Sequence, residues 1–337
     1  MNPHIVVVGS LNADFVLGVE RFPTPGETIT GRDFAVTPGG KGANQAYAAA
    51  RLGGRVSMIG QVGGDAHAHL LRENLASAGV DVAHVRVDES VSSGVAVISV
   101  DALGQNQIVI VAGANGTFGV ERLEENAREL IARARIVLLQ LEIPLPTIEA
   151  AARVAKSGGA TVILDPAPAR ELPDSLLAFT DYLTPNETEL AALTHSSLGE
   201  SSFDAHDIEA KARQLLSRGA NKVIVKMGSR GALLVTKEGT QAWPAYQVSA
   251  VDTTAAGDAF NAAFAVALAE GKSEIEVGEF ATAAAAYSVT KHGAQPSMPT
   301  RADTQKYMRE KGETGKRIPL YLFPLFPFFP LLMSGGL

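Results

Sequence analysis

The stretch IVVVGSLNADFVLGVE, residues 5–20, contains the two structural patterns that recur along the chain. IVVVG, residues 5–9, is a short β-branched run, which is typical of a strand buried on both faces of a parallel sheet. FVLGVE belongs to a different segment, residues 12–36, in which two extended runs flank FPTPGE as in a hairpin. Because a hairpin does not easily thread into a parallel sheet, the chain is expected to leave its core soon after the first strand.

Further along, short β-rich runs alternate with Ala-rich helical stretches, which predicts an α/β fold: a doubly wound, mostly parallel sheet flanked by helices. The predicted strands lie near 5–9, 56–60, 136–140, 161–165, 182–184 and 222–226. The predicted helices lie near 42–52, 68–78, 121–133, 146–157, 187–194, 206–218, 258–270 and 274–291. A second hairpin, at residues 93–114, predicts a small appended β-sheet whose apolar face is covered by the core, a ligand or a second subunit.

These patterns predict three parts of the chain. The α/β core comprises 1–11, 37–92 and 115–315; the small sheet comprises 12–36 and 93–114; the remainder is an apolar, Pro-rich tail, 316–337. The tail is broken by prolines and is shorter than the ~20 apolar residues of a membrane span, which argues against a spanning helix. Its role is left open.

The composition of the 337-residue chain is that of a globular protein, with 46% apolar and 19% charged residues. A net charge of −7 without a basic run argues against a nucleic-acid or membrane partner. The absence of cysteine excludes disulfides, thiolate nucleophiles and zinc–thiolate sites. The N-terminal residues have no basic leader or long apolar run, so a cytoplasmic protein is expected.

The nonapeptide DTTAAGDAF, residues 252–260, places Asp258 where a loop becomes the first turn of a predicted helix. The free backbone N–H groups of Ala255, Ala256 and Gly257 would form an anion site at this helix start. Asp258 is then either a helix cap, which the stretch alone favours, or a general base beside a phosphate or oxyanion.

Two further segments place polar groups beside predicted strand ends. In GSLNADF, residues 9–15, Asn12 and Asp14 alternate and therefore lie on one side of an extended chain, as a polyhydroxylated ligand requires, although either residue could form an ordinary Asx turn. TPGGKGANQA, residues 37–46, is glycine-rich but is neither a Walker A loop nor a dinucleotide fingerprint.

The segment LTPNETEL, residues 183–190, has two interpretations. Asn186 followed by Glu189 forms a capping box, or Glu189 acts through Mg²⁺ and water on phosphate oxygens while Asn186 contacts the nucleotide phosphates. KMGSRGALL, residues 226–234, is a hairpin turn that could lie along a purine.

Ten motifs, taken in order from about residue 4 to about 310, resemble those of the ribokinase-like carbohydrate kinases: GSLNAD, FPTPGETITG, PGGKGANQA, AGAN, QLEIP, DPAPAR, TPNETE, GSRG, VDTTAAGDAF and KHGAQPS. The resemblance implies ATP-dependent phosphorylation of D-ribose at O5, with Mg²⁺, activation by K⁺, and a β lid that also forms a homodimer interface. The alternatives are another sugar kinase of the family, acting on deoxyribose, fructose or a nucleoside, and a non-catalytic sugar-binding sensor.

The resemblance also assigns roles to individual residues. Asp258 is the catalytic base, with the amides of Ala255, Ala256 and Gly257 as anion hole. The sugar ligands are Asn12, Asp14, Gly40, Lys41, Asn44, Glu142 and Asp258. The nucleotide ligands are Asn186, Glu189, Lys226, Met227, Gly228, Ser229, Arg230, Gly231, Gly257 and Thr282. The K⁺ ligands are Asp252, Thr254, Ser288, Lys291, Gly293 and Ser297. Lys226 departs from the small polar residue expected at its position.

Overall fold

The computed structural model describes residues 4–196 and 204–313, so the predicted tail lies outside the described residues. Within these ranges the chain forms thirteen strands and ten α-helices. The strands are β1 (His4–Val8), β2 (Asn12–Gly18), β3 (Asp33–Gly39), β4 (Arg55–Gly63), β5 (Asp81–Asp88), β6 (Gly94–Val100), β7 (Asn106–Val111), β8 (Ile136–Leu139), β9 (Thr161–Leu164), β10 (Tyr182–Leu183), β11 (Lys222–Lys226), β12 (Ala232–Val235) and β13 (Thr240–Trp243). The helices are α1 (Lys41–Arg51), α2 (Ala66–Ser77), α3 (Glu125–Ala132), α4 (Leu145–Ser157), α5 (Asp174–Ala178), α6 (Glu187–Leu193), α7 (Ala205–Ser217), α8 (Ala256–Ala269), α9 (Glu274–Ser288) and α10 (Arg301–Glu313).

Nine of the strands form one sheet in the order β13-β12-β11-β10-β9-β8-β1-β4-β5. The strands from β5 to β11 pair in parallel, and only the β11-β12-β13 edge is antiparallel. Side chains of β1 alternate between two cores: Ile5 and Val7 pack in the cluster that contains α1 and α8, while Val6 and Val8 pack in the cluster that contains α3 and α4. The predicted fold class is confirmed.

The order of the strands reverses between β1 and β8. From β1 the chain proceeds to β4 and β5 on one side, whereas β8 is followed by β9 and β10 on the other. In open α/β sheets, ligands bind outside the carboxyl ends of the strands at such a switch point. Ser10, just after β1, donates a hydrogen bond across it to Glu142, just after β8.

The remaining four strands form a smaller sheet in the order β3-β2-β6-β7. Its β2-β3 and β6-β7 pairs are antiparallel, as the two predicted hairpins require, and β2 and β6 join them in parallel. The outer strand β7 is exposed along its whole length.

Helix α8 carries Asp258 in its first turn and is buried on nearly every side. Its sequence AGDAFNAAFAVALA is apolar all round, which is typical of a helix enclosed by the core. It packs against α1 and α9, and the rings of Phe260 and Phe264 stack with their centroids 6.1 Å apart. The base candidate therefore stands on a rigid element.

Some elements differ from their predicted bounds. Strand β5 was not predicted, because its half-buried alternation includes His84 and Arg86 and lacks an apolar run. The predicted helix 121–133 begins only at Glu125, after a 3-10 turn. The predicted helix 274–291 ends at Ser288, because the carbonyl of Val289 accepts the N–H of Val251 at 2.7 Å. Among the described helices, none is both long and apolar enough to cross a membrane.

Candidate active site

A cavity of about 790 Å³ opens at the carboxyl ends of β1 and β8. Its lining includes residues from the strand ends, from the first turns of α1 and α8, and from the smaller sheet. Every predicted sugar residue lines it: Asn12, Asp14, Gly40, Lys41, Asn44, Glu142 and Asp258. Residues far apart in sequence thus meet in a space large enough for a small-molecule ligand.

Asp258 is 4% exposed and is held by two side-chain amides. Asn44 Nδ2 donates to its Oδ2, and Gln45 Nε2 donates to its Oδ1, each at 3.0 Å. Burial raises the pKa of Asp258 to about 6, while Lys41 lowers it and Asp165 raises it. The carboxylate has no cap hydrogen bond to its own helix start, which favours the base interpretation over the capping one.

Asp14 and Glu142 are the other carboxylates among the predicted sugar residues that line the cavity. Burial, followed by the charges of Glu142 and Asp258, raises the pKa of Asp14 to about 7. Glu142 Oε2 accepts the backbone N–H of Lys41 at 3.0 Å and the hydroxyl of Ser10 at 2.5 Å. These carboxylates can accept hydrogen bonds from several sugar hydroxyls at once.

Two glycines lie beside these carboxylates at positions where neighbouring groups leave no room for a side chain. Gly40 has φ +88°, and a Cβ there would stand 2.8 Å from the backbone nitrogen of Asn12. A Cβ on Gly39 would stand 2.0 Å from Asp14 Oδ2. Only glycine fits at position 40, and a side chain at position 39 would displace the Asp14 carboxylate, so the double glycine lets α1 lie against the strand ends.

The predicted anion hole lies at the start of α8. Ala255 has φ 58°, a left-handed conformation that a non-glycine residue adopts at a cost of about 1 kcal/mol and that is common at functional sites. The backbone N–H of Ala256 donates to the backbone carbonyl of Thr253 at 3.3 Å. The N–H groups of Ala255 and Gly257 have no hydrogen-bond acceptor among the described residues. Two strong donors are therefore available beside Asp258.

Asn186 and Glu189 form the capping box at the start of α6. Asn186 Oδ1 accepts the Glu189 N–H at 2.8 Å, and Glu189 Oε2 accepts the Asn186 N–H at 2.7 Å. Both residues also line the cavity, and Glu189 Oε1 accepts no hydrogen bond from the described residues. The two interpretations of this segment are thus compatible in the structure.

The predicted nucleotide turn follows β11. Lys226, Gly228, Ser229 and Gly231 line the cavity, as does Thr282, whose hydroxyl donates to the Gly278 carbonyl in its own helix at 2.9 Å. Met227 is buried and Arg230 pairs with Glu187, and neither lines the cavity. Lys226 Nζ lies 2.8 Å from Asp165 Oδ1.

The predicted K⁺ ligands come from two adjacent loops. Asp252 joins the loops, because its Oδ1 accepts the Thr254 N–H at 2.9 Å and its Oδ2 accepts the Gly293 N–H at 2.8 Å. Burial raises the pKa of Asp252, but these hydrogen bonds outweigh it and the net shift is downward. The backbone carbonyl of Ser288 accepts the Lys291 N–H at 3.1 Å, and Ser297 is buried in a nearby 3-10 turn.

Several polar residues of the site were not predicted. Gln45 donates to both Asp258 and Asp165, and its own carbonyl accepts from Gln140 Nε2 at 2.7 Å. Asn115 Nδ2 donates to Asn12 Oδ1 at 2.7 Å. Asp165 is the last residue of the predicted strand 161–165 and directly follows β9 in the structure, so its position at a strand end could have identified it.

Comparison with known proteins is consistent with this geometry. Residues 2–301 match the sequence pattern described as pfkB family carbohydrate kinase. A ribokinase of Haemophilus influenzae is 41% identical over 308 residues, spanning 91% of this chain and 99% of the relative, and a deoxyribokinase of Salmonella typhi is 39% identical over 306 residues, spanning 90% and 98%. The structure of Arabidopsis thaliana ribokinase with ribose and ATP superposes with a TM-score of 0.85 at 40% identity, covering 92% of this chain and 99% of that one.

Proposed function

The chain belongs to the pfkB family of carbohydrate kinases, and we propose that it is a ribokinase, which phosphorylates D-ribose at O5 to give ribose 5-phosphate and ADP. The observation that carries the proposal is the position of Asp258. Its buried carboxylate shares one cavity with the polar groups of Asn12, Asp14 and Glu142 and adjoins the open amides at the start of α8.

Asp258 accepts the proton of the sugar hydroxyl as its oxygen attacks the terminal phosphate. A pKa raised to about 6 by burial leaves the carboxylate ionised near neutral pH but basic enough to take the proton. The side-chain amides of Asn44 and Gln45 hold both of its oxygens, so the base is oriented before the sugar binds.

The amides of Ala255 and Gly257 stabilise charge that gathers on the transferring phosphoryl group. Such preorganised donors act without reorganisation at the moment of reaction. Mg²⁺ bound with ATP would neutralise phosphate charge, and the unengaged Oε1 of Glu189 is suited to hold its water shell.

Activation by K⁺ is part of the proposal. Asp252 connects the turn that precedes α8 to the loop at Gly293, so a cation held there would order the residues that carry the amides. The carboxylate oxygens keep lone pairs for a cation in addition to the two backbone N–H groups, and oxygen ligands suit a hard monovalent ion.

A coupled assay of ADP release over ribose, deoxyribose, fructose and adenosine tests the substrate. We expect the highest kcat/KM for ribose. The similarity to a deoxyribokinase makes deoxyribose the second candidate, and a higher kcat/KM for deoxyribose would replace the ribose assignment. Binding of ribose by calorimetry without any ADP release would identify a catalytically silent sugar sensor instead.

The smaller sheet is proposed to act as a lid and dimer interface, comprising residues 12–36 and 93–114. Ala96, Ile98, Asn106, Ile108 and Ile110 line the cavity, which supports a lid role for this face. The intervening Val109 and Val111 are 64% and 53% exposed on the opposite face. Because exposed apolar strands promote association, a second copy of the chain is the proposed cover.

A cytoplasmic location is likewise proposed.

A further inference from the structure

Lys226 lies between a buried carboxylate and the start of α8. Its Nζ is 2.8 Å from Asp165 Oδ1, and the two side chains are 14% and 3% exposed. The same Nζ lies 3.2 Å from the point where a Cβ on Gly257 would stand. The ammonium group therefore adjoins the amide site proposed for the transferring phosphoryl group.

The charges that line the cavity are mostly negative. The carboxylates are Asp14, Glu142, Asp165, Glu189 and Asp258, and the cationic side chains from the described residues are Lys41 and Lys226. A nucleotide triphosphate adds several more negative charges. Its terminal phosphate needs cationic partners from the protein as well as Mg²⁺.

We propose that Lys226 donates a charge-assisted hydrogen bond to the γ-phosphoryl group of ATP during transfer and is a catalytic residue of this kinase. This inference rests on the proposed kinase function. An ammonium group has three donors, so Lys226 can keep its bond to Asp165 while another N–H meets a phosphate oxygen. Asp165 is then a positioning residue, held in turn by Gln45 Nε2 at 2.9 Å.

The reaction balances without a proton from Lys226. The bond between the sugar oxygen and the γ-phosphorus forms, and the bond from that phosphorus to the bridging oxygen of ADP breaks. The hydroxyl proton goes to Asp258. Lys226 stays protonated throughout and contributes only charge and a hydrogen bond.

The first test compares Lys226→Met and Lys226→Arg with wild type. With saturating ribose and ATP, Lys226→Met should lower kcat about 100-fold, as expected on removal of one donor to developing charge. Lys226→Arg should recover part of this loss, and the Kd for ribose should change less than about 3-fold in both variants. The matched control is Lys222→Met, which removes another lysine of β11 that pairs with Glu274 outside the cavity.

A second comparison separates catalysis from neutralisation of Asp165. If Lys226 only compensated the buried carboxylate, Asp165→Asn would restore activity to Lys226→Met. We expect the double variant to stay at least 10-fold slower than Asp165→Asn alone, because an asparagine oxygen can still accept the hydrogen bond that positions Lys226, whereas the double variant lacks the donor to the phosphate. The double variant also removes the unpaired buried charge that could unfold Lys226→Met.

The outcomes are distinguishable. Equal kcat for Asp165→Asn and the double variant would overturn the catalytic role, as would an undiminished kcat in a folded Lys226→Met. In both cases wild-type turnover of ribose would leave the proposed function standing. A wild-type protein that phosphorylates no sugar would overturn both.

Discussion

The two parts of the cavity proposed to bind the sugar and the nucleotide, here the sugar side and the nucleotide side, are built differently. On the sugar side, Asn12, Asp14 and Asn44 are at most 9% exposed. On the nucleotide side, Gly228 and Ser229 lie in an exposed turn, as do Thr253 and Thr254. The sugar side is a buried hydrogen-bonded network, whereas the nucleotide side also includes surface turns at the ends of secondary-structure elements.

This difference indicates how the two ligands are recognised. A buried network loses its hydrogen bonds if a sugar lacks a matching hydroxyl, so the sugar side is suited to discriminate. Exposed turns offer backbone amides suited to bind phosphates, which every nucleoside triphosphate carries. We therefore expect substitutions on the sugar side to alter chemistry and specificity, and those in the exposed turns of the nucleotide side to alter mainly the affinity for ATP.

The largest effect is expected for Asp258→Asn. Loss of the base should lower kcat about 1000-fold, whereas the Kd for ribose should change little because the amide keeps the shape of the carboxylate. Steady-state kinetics and calorimetry measure the two quantities. Asp207→Asn, in the first turn of α7, is the matched control. A fully active Asp258→Asn would refute the base assignment.

The pH dependence of kcat/KM should report the ionisation of Asp258 and Asp14. Burial raises the pKa of Asp258 to about 6 and that of Asp14 to about 7. Both carboxylates become protonated as the pH falls, so kcat/KM for ribose should be constant above pH 8. Below that pH it should decline by up to about 10-fold per pH unit for each group that becomes protonated. Asp14→Asn should remove the ionisation near 7. A profile flat down to pH 5 would contradict both assignments.

On the nucleotide side, Asp252→Ala should raise the KM for ATP about 10-fold, because the variant loses two hydrogen bonds to a charged group that join adjacent loops. Replacing K⁺ with tetramethylammonium should slow wild type but not the variant. An unchanged wild-type rate after the exchange would refute the cation site. A rise in the KM for ribose, rather than for ATP, in Asp252→Ala would contradict the contrast between the two sides.

The smallest effect on activity is expected at the smaller sheet. Val109→Glu with Val111→Glu places charges on its exposed face and should convert a dimer to a monomer in sedimentation velocity. Because both side chains are already more than half exposed, the free energy of unfolding of the monomer should change by less than about 0.5 kcal/mol. A wild-type protein that sediments as a monomer would refute the interface.

The sequence predicted the fold class well because most strands of the large sheet are short apolar runs, as in β1 and β8. It missed β5 and β13, the two edge strands, and gave β12 only as part of the hairpin turn at 226–234. Edge strands lie partly in solvent, so hydrophobic periodicity is weakest where they occur.

All the residues that the sequence predicted as sugar ligands line one cavity. They meet there because strand ends and helix starts converge at the switch point of the sheet. The sequence did not predict the contacts among them. Gln45 joins Asp258 to Asp165 across more than a hundred residues of chain, and pairing at that separation leaves no local pattern. Lys226 was predicted as a nucleotide ligand that departs from the expected residue type, and its pairing with Asp165 came to light only with the structure.

The enclosure of α8 bears on how new acceptors could be engineered. Residues from Ala259 to Ala267 are no more than 3% exposed, so few substitutions along this helix would be tolerated. Attempts to broaden the range of alcohols should leave the helix untouched and diversify Ile98 and Ile108 of the smaller sheet, which line the cavity and are not buried in the core.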